Sequence, residues 1–122
     1  MRPHEKLNVW KWAVELVVAV YKLTGSFPQH ERFGLTSQIR RAAISIPANI
    51  AEGAARDSYK EFVHFLSNAQ GSASELETEF LIAERLGYLD AKKYETIKSE
   101  IDSIGRMIFG LSQSIKRKNI KS

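Results

Sequence analysis

Between residues 94 and 115, Tyr94, Ile97, Ile101, Ile104, Ile108, Leu111 and Ile115 recur in an unbroken 3-4-3-4-3-4 rhythm. An α-helix, at about 3.6 residues per turn, brings all of them to one side, whereas a strand, with a period of about two, would scatter them over both faces. Phe62, Leu66, Ala69, Ala73, Leu76, Phe80 and Ala83 follow the same rhythm in the preceding segment. Seams of this kind pack helices at about 20° to one another, as in left-handed bundles. No stretch alternates with period two for long enough to make a strand. Three prolines and seven glycines are also too few for the closely spaced turns of an all-β fold. The chain is expected to be all-α.

Turn signals divide it into four helices, expected over about 7–24, 35–55, 58–87 and 90–118. Thr24-Gly25-Ser26-Phe27-Pro28 ends the first, because Gly and Pro together stop a helix. Ser58 with Glu61 three residues later forms a capping box for the third, and Asp90 is an N-cap for the fourth. Short connections between long helices make successive helices antiparallel, so residues 1–122 are expected to form one up-down four-helix bundle.

The first helix has more apolar surface than one small bundle can cover. From Val9 to Leu23 the polar residues are Lys11, Glu15 and Lys22, which fall within an arc of roughly 40°. Trp10, Val14, Val17 and Tyr21 are expected to face the core. Trp12, Leu16, Val20 and Leu23 form a second stripe, expected to bury against another subunit.

The second helix carries a core face of Leu35, Ile39, Ala42, Ile46 and Ile50, with Pro47 inside the pattern, where it is expected to kink the helix. Beside that face run Arg41, Ser45, Asn49, Glu52 and Arg56, a stripe suited either to solvent or to hydrogen bonds with a neighbouring helix. The third helix offers a strip of small residues, Ser67, Gly71, Ser74 and Thr78, flanked by Glu75 and Glu79. Residues 58–89 hold 2 basic and 5 acidic side chains, and residues 27–57 hold 4 and 3. Arg40 or Arg41 is therefore expected to meet Glu75 or Glu79 in a structural salt-bridge network.

Catalytic chemistry leaves little trace. With no cysteine there is no thiol nucleophile and no cysteine-ligated metal site. Glu61-Phe62-Val63-His64 is a single E-x-x-H unit, whereas di-iron bundles need two, with further carboxylates on facing helices. No phosphate-binding glycine loop appears, and no Ser/His/Asp arrangement. No cofactor, metal or small-molecule substrate is expected. Glu15 interrupts the apolar run near the N-terminus, which is too short for a membrane span and lacks a cleavage site, so a cytoplasmic, non-membrane protein is expected.

The remaining signal is electrostatic. The net charge is +4, and beyond Asp102 the chain has no acidic residue while Arg106, Lys116, Arg117, Lys118 and Lys121 follow. Cations are favoured at a helix C-terminus in any case, and the same cations suit contact with phosphates.

The run from Leu35 to Gly53, LTSQIRRAAISIPANIAEG, resembles the signature of the four-helix-bundle proteins encoded by intervening sequences in bacterial 23S ribosomal RNA genes. Val9-Trp10-Lys11, Phe27-Pro28, Phe65-Leu66, Gly71-Ser72, Glu75-Leu76-Glu77 and Leu86-Gly87-Tyr88-Leu89 extend the likeness over about residues 7–110. Gln70 departs from it, where relatives carry a basic residue. The resemblance implies an up-down bundle assembled as a homopentamer, similar in fold to the accessory protein of diversity-generating retroelements, which binds a reverse transcriptase and nucleic acid. Arg41, Ser45, Pro47, Asn49, Glu52, Gly53 and Glu75 then stand as the motif and its interhelix network. The leading expectation is a non-enzymatic oligomer that binds RNA or DNA, or a ribonucleoprotein, through Arg40, Arg41, Lys116, Arg117, Lys118 and Lys121. The alternative is a scaffold for a polymerase or other nucleic-acid enzyme, without nucleic-acid affinity of its own.

Overall fold

In a computed structural model, the backbone is described for residues 1–121 and side chains as far as Lys118. The described chain has four α-helices and no strand. They are α1 (Asn8–Thr24), α2 (Leu35–Ala54), α3 (Tyr59–Arg85) and α4 (Ala91–Lys121), with short 3-10 turns at Pro3–Lys6 and Gln29–Glu31.

The caps set the boundaries. The Glu61 backbone N–H donates to Ser58 Oγ at 3.1 Å, and that of Lys93 to Asp90 Oδ1 at 2.8 Å. At the end of α3, Gly87 adopts φ +82°, the left-handed conformation that costs glycine least. The Tyr88 N–H then reaches back to the Ala83 carbonyl and the Gly87 N–H to that of Glu84, both at 2.9 Å, closing the helix in a Schellman motif. The chain turns there into Leu89, which is buried.

Each helix packs against the next in sequence, and α1 also packs against α4. The space between them is filled by Val20, Ile39, Ile46, Ile50, Leu66, Leu76, Phe80 and Ile108, all fully buried. Both rhythmic seams deliver their residues inward. Of the α4 series, Leu111 is the member left half-exposed, and of the α3 series, Phe62. α2 runs as one helix through Pro47, which is itself buried.

The orientation of α1 differs from expectation. Its buried face is Val9, Ala13, Leu16, Val20 and Thr24, while Trp10, Val14 and Val17 are half-buried and Tyr21 is exposed. At about 100° per residue this face lies on the far side of the helix from the arc of Lys11, Glu15 and Lys22. Those three charges must stay in water, so they point α1 away from the core and settle its rotation.

Candidate nucleic-acid interface and subunit face

The residues singled out for phosphate contact fall into separate groups. Arg40 is half-buried and turned towards α1. Its Nε donates to Thr24 Oγ1 at 2.9 Å, and its guanidinium lies 4.4 Å from the centre of the Tyr21 ring. A stacked, hydrogen-bonded arginine of this kind holds α1 against α2. The expected ion pair with Glu75 or Glu79 is absent among the described residues, because the countercharge is replaced by an aromatic face and a hydroxyl.

Arg41 is exposed. With Gln38, Ser45, Ser72 and Glu75 it walls a cavity of about 340 Å³ between α2 and α3, without closing to ion-pair distance of Glu75. Below it the polar stripe does bridge the helices. The hydroxyls of Ser45 and Ser72 are 2.8 Å apart, and Asn49 Nδ2 donates to Ser45 Oγ at 2.9 Å and to the Ser45 carbonyl at 2.8 Å. Glu52 turns instead to Arg56, just past the end of α2, at 2.6 Å. Gly53 is buried where α2 comes closest to Phe62 and Phe65 of α3. The strip Ser67, Gly71, Ser74 and Thr78 is exposed and takes no part in this contact, because Ser72, on a different face of α3, points towards α2.

Glu79, expected beside the small-residue strip as an ion-pair partner of Arg40 or Arg41, is only 7% exposed, and one of its carboxylate oxygens has no hydrogen-bond partner among the described residues. Burial, together with the nearby charge of Glu75, pushes its pKa up to about 7.

Lys116, Arg117 and Lys118 are exposed on the last turns of α4. Lys116 borders a cavity of about 250 Å³ together with Ile115 and with Tyr59, Lys60 and Val63 of α3, so the end of α4 sits beside the start of α3. Arg56, just ahead of that start, lays its guanidinium 5.0 Å from the Phe65 ring centre. Among the described residues, no carboxylate lies within ion-pair distance of Lys60, Lys116, Arg117 or Lys118. The Lys121 side chain lies outside the described residues. Arg41 is 13 residues from Ala54, about 20 Å along α2, so the arginine pair and the α4 cations do not form one patch. Nothing in the sequence marks Lys60, whose position at a helix start carries no signal of what packs beside it.

The stripe assigned to a subunit contact divides as well. Leu16 and Val20 belong to the chain's own core, at 2% and 0% exposure, and Leu23 is half-buried. Leu16 and Val20 cannot carry a subunit face, because the rotation of α1 turns them inward. Trp12 remains, 61% exposed, on a cleft of about 380 Å³ between α1 and α4 that Ala19, Ile104 and Met107 also line. His64 is exposed, its ring edge-on to Phe65, and among the described residues no three His, Asp or Glu gather closely enough to hold a metal ion. No helix among the described residues is long and apolar enough to cross a membrane.

The 23S rRNA-intervening sequence protein family model matches residues 5–110 of the chain, which include the Ser45–Gly53 run and both of its partner helices. The chain belongs to that family. Among solved structures, this family member is similar to a protein of unknown function from the S23 ribosomal protein family of Bacteroides thetaiotaomicron. The two are 26% identical with a TM-score of 0.77, over 85% of this chain and 97% of that one. No curated protein matches.

Proposed function

We propose that this chain is a non-enzymatic, homo-oligomeric bundle that contacts RNA through the end of the molecule where α3 begins and α4 finishes. One observation carries the reading: Lys60 and Lys116 line one cavity there, Arg117 and Lys118 are exposed on the next positions of α4, and among the described residues no carboxylate lies within ion-pair distance of any of the four. Unpaired cations on one surface are what phosphate contacts require, and they release counterions when RNA binds. Contact with ribosomal RNA carries a cytoplasmic location with it.

The helices run up and down, antiparallel to their neighbours. Support comes from the contacts: Ser45 meets Ser72 while Gly53 meets Phe65, and Gln70 bonds Gly105 while Glu77 bonds Tyr94. In each pair of helices one number rises as the other falls. Subunits associate through the α1/α4 cleft around Trp12, and a pentameric ring would repeat the basic end five times in one field.

A second reading has one observation in its favour. Phe109 is 58% exposed on a cleft of about 760 Å³ between α3 and α4, a surface that a protein partner could cover. In that case the assembly is a scaffold and has no RNA affinity of its own.

Fluorescence anisotropy of a labelled 23S rRNA hairpin, at two salt concentrations, decides between them. The RNA reading expects binding that weakens steeply with salt. It also expects a shallower salt dependence when Lys116, Arg117 and Lys118 are all changed to Gln. A flat titration at low salt overturns it in favour of the scaffold.

A further inference from the structure

The connection from α1 to α2 folds over the first turn of α2 and leaves a corner cavity of about 190 Å³, walled by Thr24, Gly25, Gln29, Arg32, Thr36 and Arg40 among others. It holds the volume of roughly six waters and is smaller than the ~300–1,000 Å³ typical of drug-sized ligand sites. A small polar group fits it; a nucleoside does not.

Its lining is rich in donors and lacks a carboxylate. Thr36 is 6% exposed, and its Oγ1 is buried with no hydrogen-bond partner among the described residues. Protein interiors seldom leave a hydroxyl in that condition, because it has given up water and gained nothing in exchange. Arg40 uses two of its donors, Nε towards Thr24 and one Nη towards the Tyr21 carbonyl, and the remainder are unengaged within the described chain. Arg32 is exposed, lies over the Phe33 ring at 5.4 Å, and has no carboxylate within ion-pair distance.

The nearest acid, Glu31, keeps its negative charge but does not line the cavity. Glu31 is occupied on both oxygens, Oε2 accepting from the Tyr88 hydroxyl at 2.7 Å and Oε1 from the Leu35 N–H at 3.2 Å. Those two bonds hold its pKa below the ordinary carboxylate value and tie it to the cap of α2, outside the cavity wall.

We propose that this corner binds a phosphate group, with Arg32 and Arg40 supplying positive charge and the unpartnered Thr36 hydroxyl turning about χ1 towards the cavity to supply a donor. The cavity lies at the other end of α2 from the α4 cations and does not depend on them. Two sources share the chemistry: free phosphate and a phosphate of RNA.

The test is titration of the full chain with inorganic phosphate, balanced with chloride at constant ionic strength. It is followed by thermal midpoint and by backbone amide shifts. The wild type should show a saturable rise in midpoint, with shifts centred on residues 24–40. Thr36→Val keeps the shape and removes the unpaired hydroxyl, so it should fold with an unchanged or higher midpoint and bind phosphate at least fivefold more weakly. Arg32→Gln, at an exposed position that leaves the core intact, should weaken binding about tenfold and keeps the test open if Thr36→Val does not fold. The chain with Lys116, Arg117 and Lys118 changed to Gln should bind phosphate as the wild type does, which separates this site from the basic end. No midpoint change, amide shifts centred elsewhere, or unaltered binding in both cavity variants would overturn the proposal. A short oligoribonucleotide with a 5′-phosphate, compared with its 5′-hydroxyl form, then identifies the source. Preference for the phosphorylated form that Arg32→Gln abolishes assigns a terminal phosphate, and equal binding weakened by Arg32→Gln assigns the backbone. Phosphate binding with no oligonucleotide response at this corner assigns free phosphate.

Discussion

Gly53 on α2 and Phe65 on α3 approach so closely that a β-carbon on Gly53 would lie 2.8 Å from the Phe65 Cβ. The same carbon would stand 3.0 Å from Phe62 Cδ1 and 3.2 Å from the Phe62 carbonyl oxygen. A ring can turn aside, but a helix carbonyl cannot, so α2 and α3 would have to separate. Gly53→Ala gains about 1 kcal/mol of helix propensity and loses about 1–3 kcal/mol or more to overpacking and displaced neighbours. The expected result is a net loss of stability of about 1–2 kcal/mol, read as a lower urea midpoint at unchanged m-value. A variant as stable as the wild type would show that the two helices part freely.

This contact shows where the sequence was readable and where it was not. Proline and asparagine inside a helix run against propensity, so the Ser45–Gly53 run marked itself as special, and the structure adds the Asn49–Ser45 bonds and the close approach at Gly53. The α3 and α4 seams were legible because each has polar residues on its other sides, which gives the pattern a phase. α1 was not, because apolar residues surround most of it and several rotations satisfy the same spacing; only Lys11, Glu15 and Lys22 carried the answer. Charge counting paired Arg40 with acids on α3, while the fold satisfies it with Tyr21 and Thr24. That choice depends on the register of α1 against α2, which no local pattern encodes. The corner around Thr36 lies within residues 24–40, but it forms only where the α1–α2 connection folds back over the first turn of α2, a turn geometry that the residue pattern does not encode.

The Ser45–Ser72 bond joins α2 to α3 at half-buried positions, with Asn49 bonded to the same Ser45 hydroxyl. Ser45→Ala leaves both partners short of a bond, whereas Ser72→Ala leaves Ser45 still bonded to Asn49. Ser45→Ala is therefore expected to cost about 1–2 kcal/mol and Ser72→Ala about 0.5–1 kcal/mol. Because both remove one shared bond, the double variant should cost less than their sum, with a coupling of about 0.5–1 kcal/mol in a double-mutant cycle by urea unfolding. Simple additivity would mean that the two hydroxyls do not interact.

Glu79 links stability to pH. Its pKa is about 7 in the folded chain, against an ordinary value of 4.5, because burial and Glu75 both oppose its charge. Between those values the folded chain holds a proton that the unfolded chain releases. This group's contribution to stability is therefore fully present below about pH 4.5, declines as pH rises towards 7, and stays low above it. Glu79→Gln, neutral at every pH and nearly the same shape, is expected to be more stable than the wild type at pH 8. The gain is about 1–3 kcal/mol: the pKa difference at about 1.36 kcal/mol per unit, reduced by water screening at exposed Glu75. The two proteins should converge below about pH 4.5 in thermal or urea midpoints measured across the range. A Gln variant less stable than the wild type at pH 8 would mean that the carboxylate has a charged partner in solution.

Trp12 separates assembly from folding, because it is the one residue of its proposed stripe that the chain itself leaves uncovered. Leu16→Glu or Val20→Glu would place a charge in the core and should abolish folding whether or not the protein assembles. Trp12→Glu changes a side chain that is already 61% in water, so it should cost the isolated bundle less than about 1 kcal/mol and leave the helical circular dichroism intact. If subunits meet over the α1/α4 cleft, the same substitution buries an unpaired carboxylate between them and should shift sedimentation from an oligomer to a monomer. Glu15 and Glu100, which already line that cleft, would repel the new carboxylate and add to the effect. An oligomer that survives Trp12→Glu unchanged would move the contact to another face. The exposed Phe109 side of α4 is then the next surface to charge, since it is also a cleft that leaves a large aromatic ring in water.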